Sequence, residues 1–468
     1  MGIAGDRIAA VGDLSSAPAR RVLRVTGRYV APGFINPHSH VDGALSADPQ
    51  MAASLLQGIT TEIVGMDGES PADLAAFVSG LEASGGFGVN LAVLVGHGAV
   101  RRAVMGHEAR PATPSELQRM GLLVRAAMEA GALGLSTGLE YVPGRYAPTA
   151  ELVQLARIVA EYGGVYVSHI RNERDRILAA VQEALEIGRL AGVHVHISHL
   201  KVARKPGWPA QRSVLVALAR QVTERIAKAR AAGQAVTADL YPYPVPWYLT
   251  RRPLSQAYPA YPLETLEPVL EELDSFGQTL ADLASQWGTT PEQAAARLRQ
   301  AYGDFPVAIH SVDEEVIRLF LAQPFTMVGV DAPPAGDPRW GGAGHPRGYG
   351  TYPRVLGRYV RELGLLTWAE AVHKMTGMVA EAFGLEGRGL VRPGHFADLV
   401  VFDPATVRDR ATYQHPRLPP AGIEHVIVNG RLAVQHGELV RPAFGAEAAA
   451  GSGGVRAGRL LRRRPGLP

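Results

Sequence analysis

Between residues 33 and about 388, short apolar runs alternate with longer segments whose apolar residues recur every three or four positions. The short runs resemble buried strands, and the longer segments have the period of amphipathic helices. Most of the helical segments stop at a glycine, as at Gly131, Gly163, Gly192 and Gly233. Strands and helices in alternation form right-handed β–α–β units. The sequence therefore predicts an α/β protein whose main domain, residues 33–388, is a TIM-like (β/α)8 barrel.

The eight places of such a barrel have nine candidate strands, at 33–40, 59–65, 90–97, 132–137, 164–169, 193–199, 235–241, 306–311 and 326–331. Residues 242–305 are rich in proline, tyrosine and charged side chains, so they are predicted to form an insertion. The candidate strand 306–311 can belong either to that insertion or to the barrel.

The two ends of the chain carry short strands joined by turns. Strands are predicted at 6–12 and 22–30, and again at Leu399–Phe402 and His425–Val428, where Asn429-Gly430 indicates a hairpin. Residues 1–32 and 389–445 are therefore expected to form one small β-sandwich domain built from both termini. Residues 446–468 contain few large apolar side chains and are predicted to be disordered.

Two histidines, His38 and His40, lie one residue apart at the end of the first barrel strand candidate. Alternate residues of a strand share a face, so both rings can bind one metal ion. A pair of this kind is equally consistent with ordinary structural histidines. Further candidates lie at the ends of other strands, namely Asp67, His169, His199 and Asp331. Because parallel strands of a barrel end at one rim, these side chains are expected to converge on a metal site there.

Composition narrows the chemistry of that site. The chain has no cysteine, which leaves histidine, aspartate and glutamate as metal ligands. The net charge is only +3, and several arginines lie in the last ten residues, so no nucleic-acid partner is predicted. No apolar stretch is long enough for a membrane span, and the start of the chain lacks the features of an export signal. A cytoplasmic protein with no membrane partner is expected, and the oligomeric state is left open.

Motifs along nearly the whole chain resemble those of the amidohydrolase superfamily, and within it the N-acyl-D-amino-acid deacylases (D-aminoacylases). The motifs are APGFINPHSH (31–40), GITTEIVG (58–65), GALGLSTGLEYVPGRYA (131–147), YVSHIRNE (166–173), ISHLK (197–201), DLYPY (239–243), HPRGYGTYPRVLGRYVRE (345–362) and PGHFADLVVFDP (393–404). The resemblance implies a metal-dependent-hydrolase barrel with a β-sandwich from both termini. It also implies that one or two further strands precede Gly5.

The resemblance assigns roles to the histidines and carboxylates. It implies that His169 and His199 bind a tightly held Zn²⁺ ion and that His38 and His40 bind at a second, weaker position. Asp331 is implied to be the catalytic carboxylate, which contacts the metal and transfers the proton. Asp67 stands where the family has a cysteine ligand, and an oxygen ligand there shifts the preference towards Mn, Co or Fe. Glu69 is the alternative ligand to Asp67.

The same resemblance places Tyr141, Lys201, Tyr241 and Arg347 at the substrate, a small N-acyl amino acid. A guanidinium and an ammonium suit the carboxylate of such a substrate. Tyr141 or His97 is a candidate donor to the oxyanion of the reaction. The predicted reaction is hydrolysis of the amide bond of N-acyl-D-amino acids. Two alternatives stay open, namely hydrolysis of cyclic amides (hydantoin or dihydropyrimidine type) or small dipeptides, and a catalytically silent metal-binding barrel.

Overall fold

The structure is a computed structural model that describes residues 1–45, 48–71, 73–83, 86–204, 212–249, 262–270, 275–303, 305–332, 344–440 and 455–463. Its centre is a barrel of parallel strands in sequence order. These strands are Phe34–Asn36, Ile59–Val64, Asn90–Val93 with Val95–Gly96, Gly134–Gly138, Val165–His169, His194–Ile197, Val236–Leu240 and Thr326–Val328. The third of them changes partner at Leu94, since Asn90–Val93 pairs with the strand before it and Val95–Gly96 with the strand after it.

The first and last strands close the barrel through hydrogen bonds from outside their ladders. The Asp331 amide donates to the His38 carbonyl at 2.9 Å. The buried hydroxyl of Tyr352 lies 2.9 Å from the Ile35 carbonyl and 3.0 Å from the Val328 carbonyl. The predicted TIM-like barrel is thereby confirmed, and the candidate strand 306–311 is not one of its eight strands.

Amphipathic helices surround the barrel and begin or end as their sequences predict. Thr113 and Glu116 form a reciprocal capping box at the start of Pro114–Glu129, and Gly192 ends Ile177–Ala191 in a left-handed conformation. The helices of the described barrel region are Ala52–Leu56, Leu74–Ala83, His97–Met105, Pro114–Glu129, Thr149–Glu161, Ile177–Ala191, Arg212–Ala231, Glu314–Leu321, Arg347–Arg354 with the π-helical continuation Val355–Glu362, Trp368–Lys374 and Gly377–Phe383.

The predicted insertion has a small core of its own. Its strands Trp247–Leu249 and Glu267–Pro268 both pair antiparallel with Pro306–Ala308. The helices Leu280–Trp287 and Pro291–Tyr302 pack beside this sheet, with Leu280, Leu298 and Phe305 buried between them. Pro306–Ala308 therefore belongs to the insertion. Residues 250–261, 271–274 and 304 of the predicted insertion lie outside the described part of the chain.

Strands from the two ends of the chain pair with one another. An antiparallel sheet contains Tyr29–Pro32, Leu399–Phe402, Ile423–Val428, Arg431–Gln435 and Glu438–Leu439, and Leu399 lies opposite Pro32. The strands Gly2–Ala4 and Arg7–Ala10 form a hairpin, and the Ala397 amide donates to the Asp6 carbonyl at 2.8 Å. This arrangement agrees with the predicted small β domain built from both termini.

The end of the chain differs from the predicted disorder. Residues 455–463 are described, and Leu460–Leu461 pairs in parallel with Asn90–Val93. Since the third barrel strand changes partner at Leu94, its first half has a free edge that this segment occupies. The Asn90 carboxamide oxygen also accepts from the Arg459 amide at 3.0 Å. Residues 446–454 and 464–468 of the predicted tail lie outside the described residues. Within the described residues, no helix combines the length and apolar character that crossing a bilayer requires.

Candidate metal centre

The six predicted metal ligands all lie at the carboxyl ends of barrel strands. Asp67, His199 and Asp331 adopt left-handed backbone conformations, with φ of 56°, 34° and 49°. Such a conformation is unusual for residues other than glycine and is found where a site demands it. It turns the chain sharply at the end of each strand. Asn36 holds the rim together, because its side-chain oxygen accepts from the amides of His38 at 3.1 Å and Val330 at 3.0 Å.

Asp67 lies at the centre of four imidazole rings. One of its carboxylate oxygens is 3.5 Å from His199 Nε2, 3.6 Å from His40 Nε2 and 3.8 Å from His169 Nδ1. The other is 3.6 Å from His38 Nε2. The His169 and His199 rings also approach each other, with 2.8 Å between Nδ1 and Nε2. Asp67 therefore faces both predicted metal positions.

Asp331 completes the second position. Its Oδ1 lies 3.3 Å from His40 Nε2 and 3.5 Å from His38 Nε2. Candidate ligand atoms within 4.8 Å of one another form three groups, and two of these groups contain Asp67. They are His38, His40, Asp67 and Asp331; Asp67, His169 and His199; and Glu140, His169 and Glu173.

The donors of these groups fit a divalent cation. His38 Nε2 and Asp67 Oδ1 are buried, and among the described residues neither has a hydrogen-bond partner. Buried polar atoms are rarely left without a partner unless an ion or water satisfies them. Imidazole nitrogens with carboxylate oxygens suit Zn²⁺, and also Mn²⁺, Co²⁺ or Fe²⁺.

The electrostatics of the centre favour positive charge. Burial alone lowers the pKa of His40, but hydrogen bonds to Asp331 and Asp67 outweigh it and raise that pKa to about 9. Burial works to raise the pKa of Asp67, yet the facing rings of His199 and His38 hold it well below its usual range. A metal ion would take the place of the protons on these rings, so binding is expected to weaken at low pH.

Two buried carboxylates hold the ligand rings from behind. Asp239 Oδ2 lies 3.3 Å from His38 Nδ1, and Glu173 Oε1 lies 2.9 Å from His199 Nδ1. This arrangement leaves each Nε2 atom directed at Asp67. Carboxylates in this position fix the tautomer and orientation of metal-binding histidines. Neither residue was predicted from the sequence, although Asp239 is the next-to-last residue of the strand Val236–Leu240 and Glu173 follows His169 by four positions.

The predicted substrate residues lie around the same rim. Arg347 Nη1 is 3.3 Å from Asp331 Oδ2, and its guanidinium lies 4.4 Å from the centre of the Tyr241 ring. The Tyr141 ring packs 4.5 Å from the His169 ring and is 42% exposed. Lys201 is buried instead, and its ammonium donates to Glu173 Oε1 at 2.6 Å.

Two of the alternatives raised by the sequence lie away from the centre. The Glu69 carboxylate is half exposed and accepts from Arg102 at 2.7 Å, whereas Asp67 faces the histidines. His97 Nε2 lies 2.9 Å from Glu151 Oε1, which also binds Arg101. His97 therefore belongs to a buried hydrogen-bonded cluster with Glu151 and Arg101.

Comparison with known proteins identifies the family. A model of the amidohydrolase family matches residues 25–343 and 343–434, which is most of the chain. The chain belongs to the amidohydrolase family. This assignment confirms the resemblance and agrees with the barrel and the small β domain described above.

Several of the proteins similar to this chain are deacylases. The chain is 40% identical over 453 residues to an N-acyl-D-glutamate deacylase of Alcaligenes xylosoxydans xylosoxydans, covering 92% of this chain and 88% of that protein. It is 38% identical over 452 residues to a D-aminoacylase of the same organism, covering 92% and 89%. A crystal structure of N-acyl-D-glutamate deacylase from Bordetella bronchiseptica, with zinc and a phosphonate mimic of the tetrahedral intermediate, matches with a TM-score of 0.83 and 36% identity, covering 98% and 94%.

Proposed function

We propose that this protein is a metal-dependent hydrolase that cleaves the amide bond of N-acyl-D-amino acids, giving a carboxylate and a free D-amino acid. The observation that carries the proposal is the convergence of four imidazoles and two carboxylates at one rim of the barrel, with Arg347 beside them. The D configuration and the N-acyl group come from the similarity to deacylases at 40% and 38% identity.

We assign the tight metal position to Asp67, His169 and His199, and the second position to His38, His40 and Asp331 with Asp67 shared. A divalent metal bound there supplies a Lewis acid and makes water a nucleophile near neutral pH. Asp67 takes the place of the cysteine that the resemblance implies, and its two oxygens reach both groups of histidines.

Asp331 is the proposed general base and acid. Burial favours its neutral form, but the Arg347 guanidinium and the His38 ring outweigh this effect and keep the pKa of Asp331 well below its usual range. The carboxylate is therefore ionised at neutral pH and can accept the proton of the attacking water. It then returns the proton to the departing amine nitrogen, so that both products leave in stable forms.

Arg347 is the proposed anchor for the α-carboxylate of the substrate. It is buried, it stacks on Tyr241, and one of its nitrogens already contacts a carboxylate, that of Asp331. A planar guanidinium fork binds carboxylates with two parallel hydrogen bonds. Tyr141, exposed beside His169, is the proposed donor to the oxyanion. The Lys201 ammonium contacts Glu173, and Glu173 contacts the His199 ring. We therefore expect substitution of Lys201 to weaken metal binding at least as strongly as substrate binding.

A panel of N-acetyl-D- and N-acetyl-L-amino acids tests the proposal, with the zinc-loaded protein and release of free amine as the readout. The panel includes glutamate, aspartate and neutral side chains. We expect turnover of D substrates and loss of turnover after the metal is removed with a chelator. Turnover of L substrates only would contradict the stereochemical part of the proposal, and no turnover with full zinc content would favour a catalytically silent barrel.

The variant Arg347→Ala separates the proposal from the cyclic-amide alternative. A hydantoin or dihydropyrimidine ring has no free α-carboxylate, so loss of the guanidinium should change its KM little. For an N-acyl amino acid we expect KM to rise about tenfold or more, which matches the loss of a charge-assisted hydrogen bond. Arg347→Lys retains the charge without the planar fork, so its KM for an N-acyl amino acid should lie between those of the wild type and Arg347→Ala.

A further inference from the structure

A chain of hydrogen bonds runs along the barrel interior from the metal centre to the opposite face. Asp239 Oδ2, which faces His38 Nδ1, also lies 2.8 Å from His196 Nε2. His196 Nδ1 is 2.9 Å from Thr237 Oγ1. Thr237 Oγ1 is in turn 2.9 Å from His194 Nε2. His194 lines a cavity of about 530 Å³ at the amino-terminal ends of the strands.

The carboxylate of Asp239 fixes the direction of the first two hydrogen bonds of the chain. An ionised carboxylate only accepts, so His38 Nδ1 and His196 Nε2 both donate to Asp239. Thr237 Oγ1 lies between ring nitrogens of His196 and His194, and a hydroxyl can donate to one of them and accept from the other. His38 Nε2, the atom that faces Asp67, is left for the metal ion.

The burial of these polar groups, which is energetically unfavourable unless they are paired, indicates that they have a role. Asp239 and His196 are fully buried, and Thr237 is 8% exposed. Unpaired polar groups at such positions are destabilising, whereas apolar residues would fill the barrel without that risk. Asp239 also accepts from the His199 amide at 3.1 Å through its other oxygen. One carboxylate thereby contacts a residue from each of the two proposed metal positions.

We propose that Asp239, His196 and Thr237 are positioning residues for the metal centre, which hold the His38 ring with Nε2 directed at the metal. The role of Asp239 follows from its contact with His38, and His196 and Thr237 act through Asp239. The inference rests on the metal site of the proposed function and deepens it.

The test compares zinc affinity among variants that change one link at a time, measured by competition with a chromophoric chelator. Asp239→Asn keeps the shape but offers an amide donor to one of the two rings, so affinity at the His38 position should fall about 10- to 100-fold. Thr237→Val removes the hydroxyl and keeps the shape, and a 2- to 10-fold loss is expected, the equivalent of about one hydrogen bond. Thr237→Ser restores the hydroxyl and should bind within about twofold of the wild type, which is less than the smallest loss that one hydrogen bond predicts.

A matched control and a second readout separate positioning from general damage to the barrel. Thr60→Val removes another buried hydroxyl, which lies 3.4 Å from the Phe34 carbonyl and, among the described residues, has no hydrogen bond to a histidine. It should leave zinc affinity unchanged. In zinc-loaded protein labelled with nitrogen-15 histidine, NMR should show His38 protonated at Nδ1 in the wild type and a changed His38 ring signal in Asp239→Asn and Thr237→Val.

The outcomes separate failure of the positioning role from failure of the proposed function. If the wild type binds zinc and Thr237→Val binds it equally well with an unchanged His38 signal, the positioning chain is refuted and the metal site stands. If Asp239→Asn also binds normally, Asp239 has no positioning role. If the wild type binds no zinc at all, the proposed function fails together with this inference.

Discussion

Replacing Asp331 by asparagine removes the carboxylate that joins the metal centre to the proposed substrate anchor. Its two oxygens each lie 3.3 Å from a neighbour, one from His40 Nε2 and the other from Arg347 Nη1. Asparagine has nearly the same shape, so we expect the variant to fold. The variant cannot take up a proton at neutral pH, and loss of a general acid–base group costs about 10²- to 10⁴-fold in rate. This range corresponds to about 3–5 kcal/mol of activation free energy.

The loss should appear in kcat, measured as initial rates of amine release from the best D substrate. Zinc bound by Asp67, His169 and His199 should be retained, because Asp331 is not in that group. Asp313→Asn is the matched control, since Asp313 caps the helix Glu314–Leu321 by accepting from the Glu315 amide at 2.9 Å, and asparagine caps equally well. A kcat for Asp331→Asn within about threefold of the wild type, far below the expected range, would refute the assigned role.

Further predictions concern the ligand set and the barrel. Asp67→Asn should weaken zinc binding more than about 100-fold, because removing a residue that only supports a ligand already lowers metal affinity about 10- to 100-fold. Glu69→Gln should bind zinc normally, because Glu69 pairs with Arg102. Equal effects of the two substitutions in chelator titrations would contradict the assignment. Tyr352→Phe should lower the free energy of unfolding in urea by about 1–3 kcal/mol, because two buried carbonyls lose their shared donor; an unchanged midpoint would count against that contact. Burial raises the pKa of Glu62 from 4.5 to about 7, so the native state retains a proton that the unfolded state releases, and stability from this group is lost as pH rises through that interval. The stability of Glu62→Gln relative to the wild type should therefore increase by about 3 kcal/mol between pH 5 and pH 8, and a constant difference would show that Glu62 does not titrate there.

The candidate ligands at the strand ends could be predicted from the sequence for a simple physical reason. Parallel strands of a barrel end at one rim, so residues as distant in sequence as His38 and Asp331 could be expected to meet. The choice of Asp67 over Glu69 followed from spacing, and the structure places Asp67 among the rings. The TIM-like barrel and a small β domain built from both termini were predictable from the alternation pattern and from the resemblance, whereas the strand predicted at 22–30 lies at Tyr29–Pro32.

Other features depend on contacts that a one-dimensional pattern does not contain. Asp239 and Glu173 act behind the ligands, and only the three-dimensional structure shows that they face His38 and His199. Lys201 is predicted at the substrate, and its contact with Glu173 is visible only in the three-dimensional structure. The segment around Leu460 was expected to be disordered because it has few apolar side chains. It is ordered by backbone pairing at a free strand edge, which its composition does not reveal.

The central claim is that Asp67, His169 and His199 hold one metal ion. Anomalous diffraction at the zinc absorption edge, from crystals grown with zinc, measures this most directly. The account predicts a peak about 2.0–2.2 Å from a carboxylate oxygen of Asp67 and from one nitrogen of each ring. Well-ordered rings at full zinc loading with no anomalous peak between them would contradict it.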